Sequence, residues 1–145
     1  MLIIFFLLIG LSLADNFYFH TTTFCRFNFR PVYKYSIKFY ESNLTPDDQI
    51  TDWFHDETSS PTQVKTATYN GTLTSGSGEG DYYEIYAYIA HRCLLSAEEI
   101  IYLKVHFERN WCKLGAGDCH IFVTLDLTGL ISDVKREVRI VQERE

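Results

Sequence analysis

The sequence predicts an all-β protein, an antiparallel β-sandwich of about seven or eight short strands. Apolar and polar residues alternate with a period of two in several segments, which is the pattern of a half-buried strand. Turn-forming residues separate these segments, and little of the chain shows the 3.6-residue period of a helix. Together these observations favour a β-sandwich.

The longest alternating segment is Asp81–Cys93. Its odd-numbered residues are mostly apolar and share one face: Tyr83, Ile85, Ala87, Ile89, His91 and Cys93. Its even-numbered residues share the other face, because successive side chains of a strand point to opposite sides. The aromatic and β-branched content is also typical of strands. We therefore predict one long strand with one buried side.

The chain begins with a segment that is typical of a signal peptide. Leu2–Leu11 is an apolar run, and Ser12 and Ala14 place small residues at the third-last and last positions before the expected cleavage site. A membrane span needs about 20 apolar residues, whereas polar Asp15 follows this run closely. We expect residues 1–14 to be removed and residues 15–145 to form one secreted domain that does not span a membrane.

Charge also bears on the partner. The chain has a formal net charge of −6 at pH 7, and its basic residues are scattered. The nearest approach to a cluster is Lys135 and Arg136 with Arg139. Because phosphate binding needs clustered Lys and Arg, this balance argues against nucleic acid or a polyanionic surface as the main partner.

The first half of the chain predicts three strands. Phe17–Phe29 alternates, and we expect this strand to end near Cys25, because Pro31 lacks the N–H group that a β-ladder needs. Tyr33–Tyr40 alternates cleanly. A polar loop follows, and Gln49–Glu57 then predicts a short strand.

A hairpin is predicted next. Val64–Tyr69 and Thr72–Thr74 flank Asn70 and Gly71, and Asn-Gly accepts positive φ at both positions of a type I′ turn. The glycines between Gly76 and Gly80 then predict a flexible connection.

The second half predicts further strands after Cys93. Ser96–Glu99 has the spacing of a capping box and favours a helical turn, but the alternation in Leu103–Phe107 favours a strand. Lys113–Asp118 predicts a turn and Ile121–Leu127 a strand. Val138 and Ile140 mark a final strand.

The cysteines indicate two disulfides. An even number in a secreted chain favours full pairing, and three pairings are open for Cys25, Cys93, Cys112 and Cys119. A zinc site is the alternative, because His91 and His120 lie close to cysteines. The spacings typical of zinc ligands are absent, and an oxidising compartment converts thiols to disulfides, so we favour disulfides.

Several motifs follow one another in a set order between residues 19 and 127. They are Cys25 and Pro31, Ile37–Glu41, Asp47–Ile50, Asp81–Tyr83, Ile89–Cys93, and Cys119 before Ile121–Leu127. In this order the chain resembles the secreted transthyretin-like proteins of nematodes. It departs from that family at Tyr69–Ser75, which replaces the usual hairpin motif, in the extra Cys112, and in lacking a cysteine near its C-terminal end.

The resemblance implies a transthyretin-like (prealbumin-like) Greek-key β-sandwich stapled by disulfides. It also implies a non-catalytic extracellular protein that binds a small apolar ligand, a lipid or a cell-surface receptor, with oligomers allowed. In the family pattern, the cysteines at the positions of Cys93 and Cys119 flank adjacent strands, so the resemblance implies a bond between them. Cys25 would then pair with Cys112.

Hydrolysis is the alternative function. Transthyretin-fold proteins include hydrolases of 5-hydroxyisourate, which depend on a histidine in the first strand, on further histidine and arginine residues, and on a C-terminal Tyr-Arg-Gly-Ser. His20 lies in the predicted first strand, but Val141–Glu145 does not match that tail. We therefore predict no catalytic residues.

Tyr82, Tyr86 and Tyr88 form the candidate binding face. A sheet with one buried side should be polar here, and exposed aromatic patches often mark partner or ligand sites. Two interpretations remain open: a binding face, or a strand buried under aromatic ladders or at a dimer face.

The remaining motifs concern modification and metals. Asn43 and Asn70 begin N-glycosylation sequons, and Pro46 after the first favours Asn70. The acidic residues between Asp47 and Glu57 lack the EF-hand spacing that calcium binding would favour. We therefore predict no metal site and no cofactor.

Overall fold

The fold is entirely β in the residues that the structure, a computed structural model, describes: 14–27, 32–44, 46–59, 64–74, 80–93, 99–107, 112–128 and 135–142. Within these ranges the chain forms nine strands: β1 (Ala14–Phe24), β2 (Val32–Glu41), β3 (Asp48–Gln49), β4 (Phe54–Ser59), β5 (Val64–Thr74), β6 (Ile85–His91), β7 (Ile101–His106), β8 (Cys119–Asp126) and β9 (Lys135–Gln142). The all-β prediction is confirmed. No helix in the described ranges is long and apolar enough to cross a membrane.

The strands form two layers. One layer has the order β7-β6-β2-β4, with β3 also on β2, and the other has the order β5-β1-β8-β9. Strands β4 and β5 connect the layers through a single residue pair, Ser59 and Val64. The pairing is antiparallel throughout, except that β1 and β8 run parallel.

The core lies between the two layers and follows the alternation of the sequence. In β1 and β2 the alternate residues Phe17, Phe19, Tyr35, Ile37 and Phe39 are almost completely buried. Phe19 of one layer stacks on Phe39 of the other, with ring centroids 3.7 Å apart. Burying a side chain of this size stabilises the fold by roughly 1.5–3 kcal/mol.

The segment Asp81–Cys93 has the predicted faces, but it forms a shorter strand than expected. The six side chains predicted to share the apolar face, from Tyr83 to Cys93, are all buried. Strand β6 begins only at Ile85, because the preceding residues turn towards a different part of the chain. There Tyr82 forms an isolated bridge with Lys113, and the N–H of Tyr83 donates to the carbonyl of Cys112 at 2.9 Å.

The disulfide pairing predicted from the resemblance is wrong. The bonds are Cys25–Cys93 and Cys112–Cys119, with Cα–Cα distances of 5.8 and 6.0 Å. Cys119 lies opposite Phe17 near the start of β1, whereas Cys25 follows the end of β1. Eight residues of strand separate these positions by roughly 26 Å. Cys93 bonds to Cys25, so Cys93 and Cys119 lie at opposite ends of the sandwich.

The hairpin predicted at Asn70 and Gly71 is also wrong. Both residues lie inside the continuous strand β5, opposite Tyr18 and Phe17 of β1. A Cβ atom on Gly71 would lie 2.7 Å from Cγ2 of Ile50 and would clash with its backbone carbonyl. The glycine is needed here for close packing and not for a turn.

Three further sequence predictions change or remain untested. The single strand predicted over Gln49–Glu57 is divided into β3 and β4, because the N–H groups of Ile50 and Thr51 both donate to the carbonyl of Phe39. The predicted signal peptide lies outside the described residues except for Ala14. The predicted helical turn at Ser96–Glu99 likewise lies outside them, except for Glu99.

His91 belongs to the core. Its side chain is only 2 % exposed, and its Nδ1 accepts the N–H of Cys93 at 3.1 Å. Burial lowers the pKa of His91 to about 4. The imidazole is therefore neutral near pH 7, as an acceptor nitrogen must be. His91 is the histidine nearest to Cys93 in the zinc alternative, and its Nδ1 is already used by this hydrogen bond.

The position of Gly71 gives a direct test of the strand. Gly71→Ala should lower the free energy of unfolding by about 1–3 kcal/mol, because the added Cβ has no room. Asn70→Ala, the neighbouring exposed position, should change it by no more than about 0.5 kcal/mol. Urea denaturation measures both. A turn would instead make both substitutions costly, and this result would contradict the continuous strand.

Candidate functional site

The candidate site lies on the outer side of the layer β7-β6-β2-β4. Side chains that alternate with the buried ones point away from the core here. We call this surface the basic-aromatic face, and it is formed by Lys34, Ser36, Lys38, Tyr40, Trp53, His55, Glu57, Tyr86, Tyr88, Ala90, Arg92, Tyr102, Lys104 and His106. Strand pairing places these residues side by side, although they are widely separated in sequence.

Three tyrosines form the centre of this face. The rings of Tyr40 and Tyr86 stack with centroids 5.4 Å apart, and Tyr88 packs edge-on against both, at 5.7 and 5.5 Å respectively. Such pairs add about 0.5–1.5 kcal/mol beyond the area that they bury. The cluster is therefore a rigid platform.

Two charged side chains, Asp47 and Lys104, contact Tyr86. Its hydroxyl donates to Asp47 Oδ2 at 2.6 Å, and Lys104 Nζ lies 3.9 Å from its ring centroid. The hydrogen bond from Tyr86, followed by that from the Asn43 N–H, lowers the pKa of Asp47. Burial, followed by the bond to Asp47, raises the pKa of Tyr86. The carboxylate and the phenol thus keep their bond intact at neutral pH.

The structure divides the three tyrosines predicted as a binding face. Tyr86 is only 2 % exposed, so its role is to support its neighbours. Tyr88 is 37 % exposed and can contact a partner. Tyr82 is 48 % exposed but lies before β6, at the bridge with Lys113. The interpretation as a residue buried under an aromatic ladder therefore applies to Tyr86. Tyr88 is exposed, as the interpretation as a binding face requires.

Other members of the face were not predicted from the sequence. Trp53 is 41 % exposed, and Lys38 Nζ lies 5.1 Å from the Tyr40 ring and 5.9 Å from the Trp53 ring. Tyr40 is an aromatic residue in the phase of β2 that otherwise contains Lys34, Ser36 and Lys38. This departure from the polar pattern could have identified Tyr40 from the sequence. The contribution of Lys104 depends on the β6–β7 register, which the sequence does not specify.

Beside the tyrosines the same face contains an open cavity of about 830 Å³. Its floor includes the small side chains of Ser36 and Ala90, which are opposite each other in the β2–β6 register. Lys34, Arg92 and Tyr102 also line it. Ser36 Oγ and His55 Nδ1 are 2.7 Å apart, and this hydrogen bond fixes the imidazole at the cavity wall.

A second cluster lies on the outer side of the other layer. His20 Nε2 is 3.0 Å from His120 Nδ1, and His20 Nδ1 is 3.1 Å from Thr68 Oγ1. His20 also stacks on Phe122, over which the Arg139 guanidinium lies at 4.7 Å. Burial, followed by repulsion from His120, lowers the pKa of His20. His20, Phe122 and Arg139 line a cavity of about 550 Å³.

The two sequon asparagines differ in exposure. Asn70 is exposed on β5. Asn43 is half-buried, and its Nδ2 donates to Asp48 Oδ2 at 2.9 Å. A glycan replaces one hydrogen of this amide and would compete with the bond to Asp48, so Asn70 remains the better glycosylation candidate.

The described residues contain no group of three or more His, Cys, Asp or Glu side chains that could hold a metal ion. No family model, no curated protein and no solved structure matches the chain.

Stability measurements would separate the roles of Tyr86 and Tyr88. Tyr86→Ala should lower the free energy of unfolding by about 3–5 kcal/mol, because it removes a buried ring. Tyr88→Ala should lower it by less than about 1.5 kcal/mol, because that ring is partly exposed. Tyr86→Phe keeps the ring and should lose about 1.5–3 kcal/mol with the bond to Asp47. Equal losses for the two alanine variants in urea denaturation would contradict this division.

Proposed function

We propose that the protein is a secreted, non-catalytic binding protein of the transthyretin-like kind, which recognises a cell-surface partner through its basic-aromatic face. The observation that carries this proposal is the exposure of Trp53 and Tyr88 beside the rigid Tyr40–Tyr86 stack. Trp and Tyr are the residues most enriched at the energetic centres of interfaces. Rigid aromatic side chains also lose little conformational entropy on binding.

The shape of the face favours a large partner over a small apolar ligand. Small-molecule sites are concave and enclose most of the ligand, with predominantly apolar walls. The basic-aromatic face is an open sheet surface, and its cavity is lined by Lys34 and Arg92 as well as by Tyr102. A cell-surface macromolecule fits such a surface better.

Two features support secretion. All four cysteines of the chain are paired, and disulfides persist mainly in oxidising compartments. The apolar segment before Ala14 has the composition of a signal peptide. The two features are independent, because the disulfides lie in the folded domain.

The order of the strands supports a Greek-key sandwich of the transthyretin-like kind. Consecutive strands β1 and β2 lie in different layers, and the chain returns twice to β1, through β5 and through β8. Long connections that bring a later strand beside the first one characterise Greek-key topology. The family assignment rests on this order together with the sequence motifs.

The binding function can be tested on intact cells with fluorescently labelled, folded protein. We expect saturable binding that unlabelled protein displaces. Trp53→Ala and Tyr88→Ala should each weaken it at least about tenfold, as truncation of an aromatic hot spot does. Tyr82→Ala is the matched control, because this exposed tyrosine lies outside the cluster. Unchanged binding by the Trp53 and Tyr88 variants would refute the proposal.

A hydrolase is the second candidate, and the His20–His120 pair favours it. His20 has a lowered pKa, so its imidazole is neutral near pH 7 and can accept a proton from a nucleophile. Arg139 lines the same cavity and could stabilise an anionic intermediate. Turnover of 5-hydroxyisourate that disappears in His20→Ala would support this activity, and absence of turnover by the folded protein would exclude it.

A further inference from the structure

The basic-aromatic face gathers four cationic side chains of an otherwise acidic chain. Lys34 lies on β2 and Arg92 directly follows the neighbouring strand β6, and the N–H of Arg92 donates to the carbonyl of Lys34 at 3.3 Å. Lys38, Tyr88 and Lys104 lie side by side across β2, β6 and β7. The chain as a whole has a net charge of −6, and its basic residues are scattered in the sequence, which argued against a polyanionic partner. Strand pairing brings four of these residues together on one face, although Asp47 and Glu57 also lie there.

Most of this charge is not neutralised within the protein. Among the described residues, Lys104 is the one member of the four that lies within 4.0 Å of a carboxylate, at 3.9 Å from Asp47. Lys38 packs over aromatic rings instead. Glu57 lies opposite Lys34 in the strand register but does not form an ion pair with it. Lys34, Lys38 and Arg92 therefore remain available to an anionic partner.

The cations form two rows with a depression between them. Lys34 and Lys38 are four residues apart on β2, which separates the rows by roughly 13 Å. Between the rows lie the small side chains of Ser36 and Ala90. Tyr102, which is 70 % exposed, stands beside this depression. An extended polymer with regularly spaced negative groups can contact both rows. If it contains rings, they can lie against Tyr88 and Tyr102.

We propose that this face binds a linear anionic polysaccharide, whose sulfate or carboxylate groups contact the two cation rows and whose sugar rings pack on the exposed tyrosines. The inference names the partner of the proposed function and rests on it. Multiple contacts with a charged polymer release its counterions, so binding should weaken steeply with salt.

A lipid surface fits this face less well. The most exposed aliphatic side chain among the described residues is Leu44, at 94 %. It lies shortly before Asp47 and Asp48, whose carboxylates an anionic membrane would repel. Insertion of Leu44 into such a membrane would therefore bring negative charge against negative charge.

Fluorescently labelled heparin fragments of one length provide the probe, with neutral dextran as the ligand control. We expect the folded protein to bind heparin at low salt and not to bind dextran. Arg92→Gln should weaken binding about fivefold and the double variant Lys34→Gln/Arg92→Gln about 25-fold, from roughly fivefold for each cation at an anionic surface. Fluorescence anisotropy over a salt series measures these affinities.

Arg26→Gln is the matched variant control. It removes the same charge from an exposed arginine that pairs with Asp126, away from the basic-aromatic face, and should leave heparin binding unchanged. Equal losses in Arg26→Gln and Arg92→Gln would indicate non-specific attraction and overturn the proposal. Circular dichroism confirms that each variant is folded before its affinity is interpreted.

The remaining outcomes separate this inference from the proposed function. If cells bind the protein through Trp53 and Tyr88 but heparin does not bind, the polysaccharide inference falls and the binding function stands. Preferential binding to phosphatidylserine vesicles that Lys34→Gln/Arg92→Gln abolishes would also overturn it in favour of a lipid. Heparin binding that the double variant weakens about 25-fold and that neutral dextran does not reproduce supports the inference.

Discussion

The contact between the two layers at Phe19 and Phe39 is the interaction on which the rest of the structure depends. Their rings stack at 3.7 Å in the middle of the core, and this contact requires both residues to occupy the inward phase of their strands. Because the side-chain period of a strand is two, a shift of either strand by one residue would turn its whole apolar set outward. The same constraint places the polar phase of β2 and β6 on the outside, where the candidate site lies.

The ends of β1 are held by bonds of different kinds. Near its start, the buried Asp15 accepts the hydroxyl of Tyr83 at 2.6 Å and the N–H of Gly115 at 3.0 Å. Just beyond its end, Cys25 is bonded to Cys93 of the opposite layer. Asp15 thereby ties β1 to the segment before β6 and to the loop that the Cys112–Cys119 bond closes. This attachment at both ends keeps the layers in one relative position, so each outer face can present a fixed set of side chains.

The two outer faces have different chemistry although they share one core. The layer containing β2 and β6 presents lysines and an arginine among tyrosines, whereas the layer containing β1 and β8 presents threonines around the His20–His120 pair. The first surface is suited to an extended anionic partner. The second has a pair of imidazoles beside an arginine-lined cavity, which is suited to proton transfer. A sandwich permits this division, because substitutions on one outer face hardly disturb the other.

The sequence by itself determined the strand content and the side of each strand that enters the core. The alternation in Tyr33–Tyr40 and Ile121–Leu127 is enough for this, because burial of apolar area selects one phase of each strand. Tertiary structure decided what those patterns leave open. The parallel β1–β8 pairing placed Cys119 opposite Phe17, away from Cys25 and its partner Cys93. The approach of Ile50 made Asn70 and Gly71 part of a strand and not a turn. Strand pairing also gathered Lys34, Lys38, Arg92 and Lys104, which are scattered in the sequence, onto one face. The local pattern cannot reveal such groupings, because they depend on which strands become neighbours.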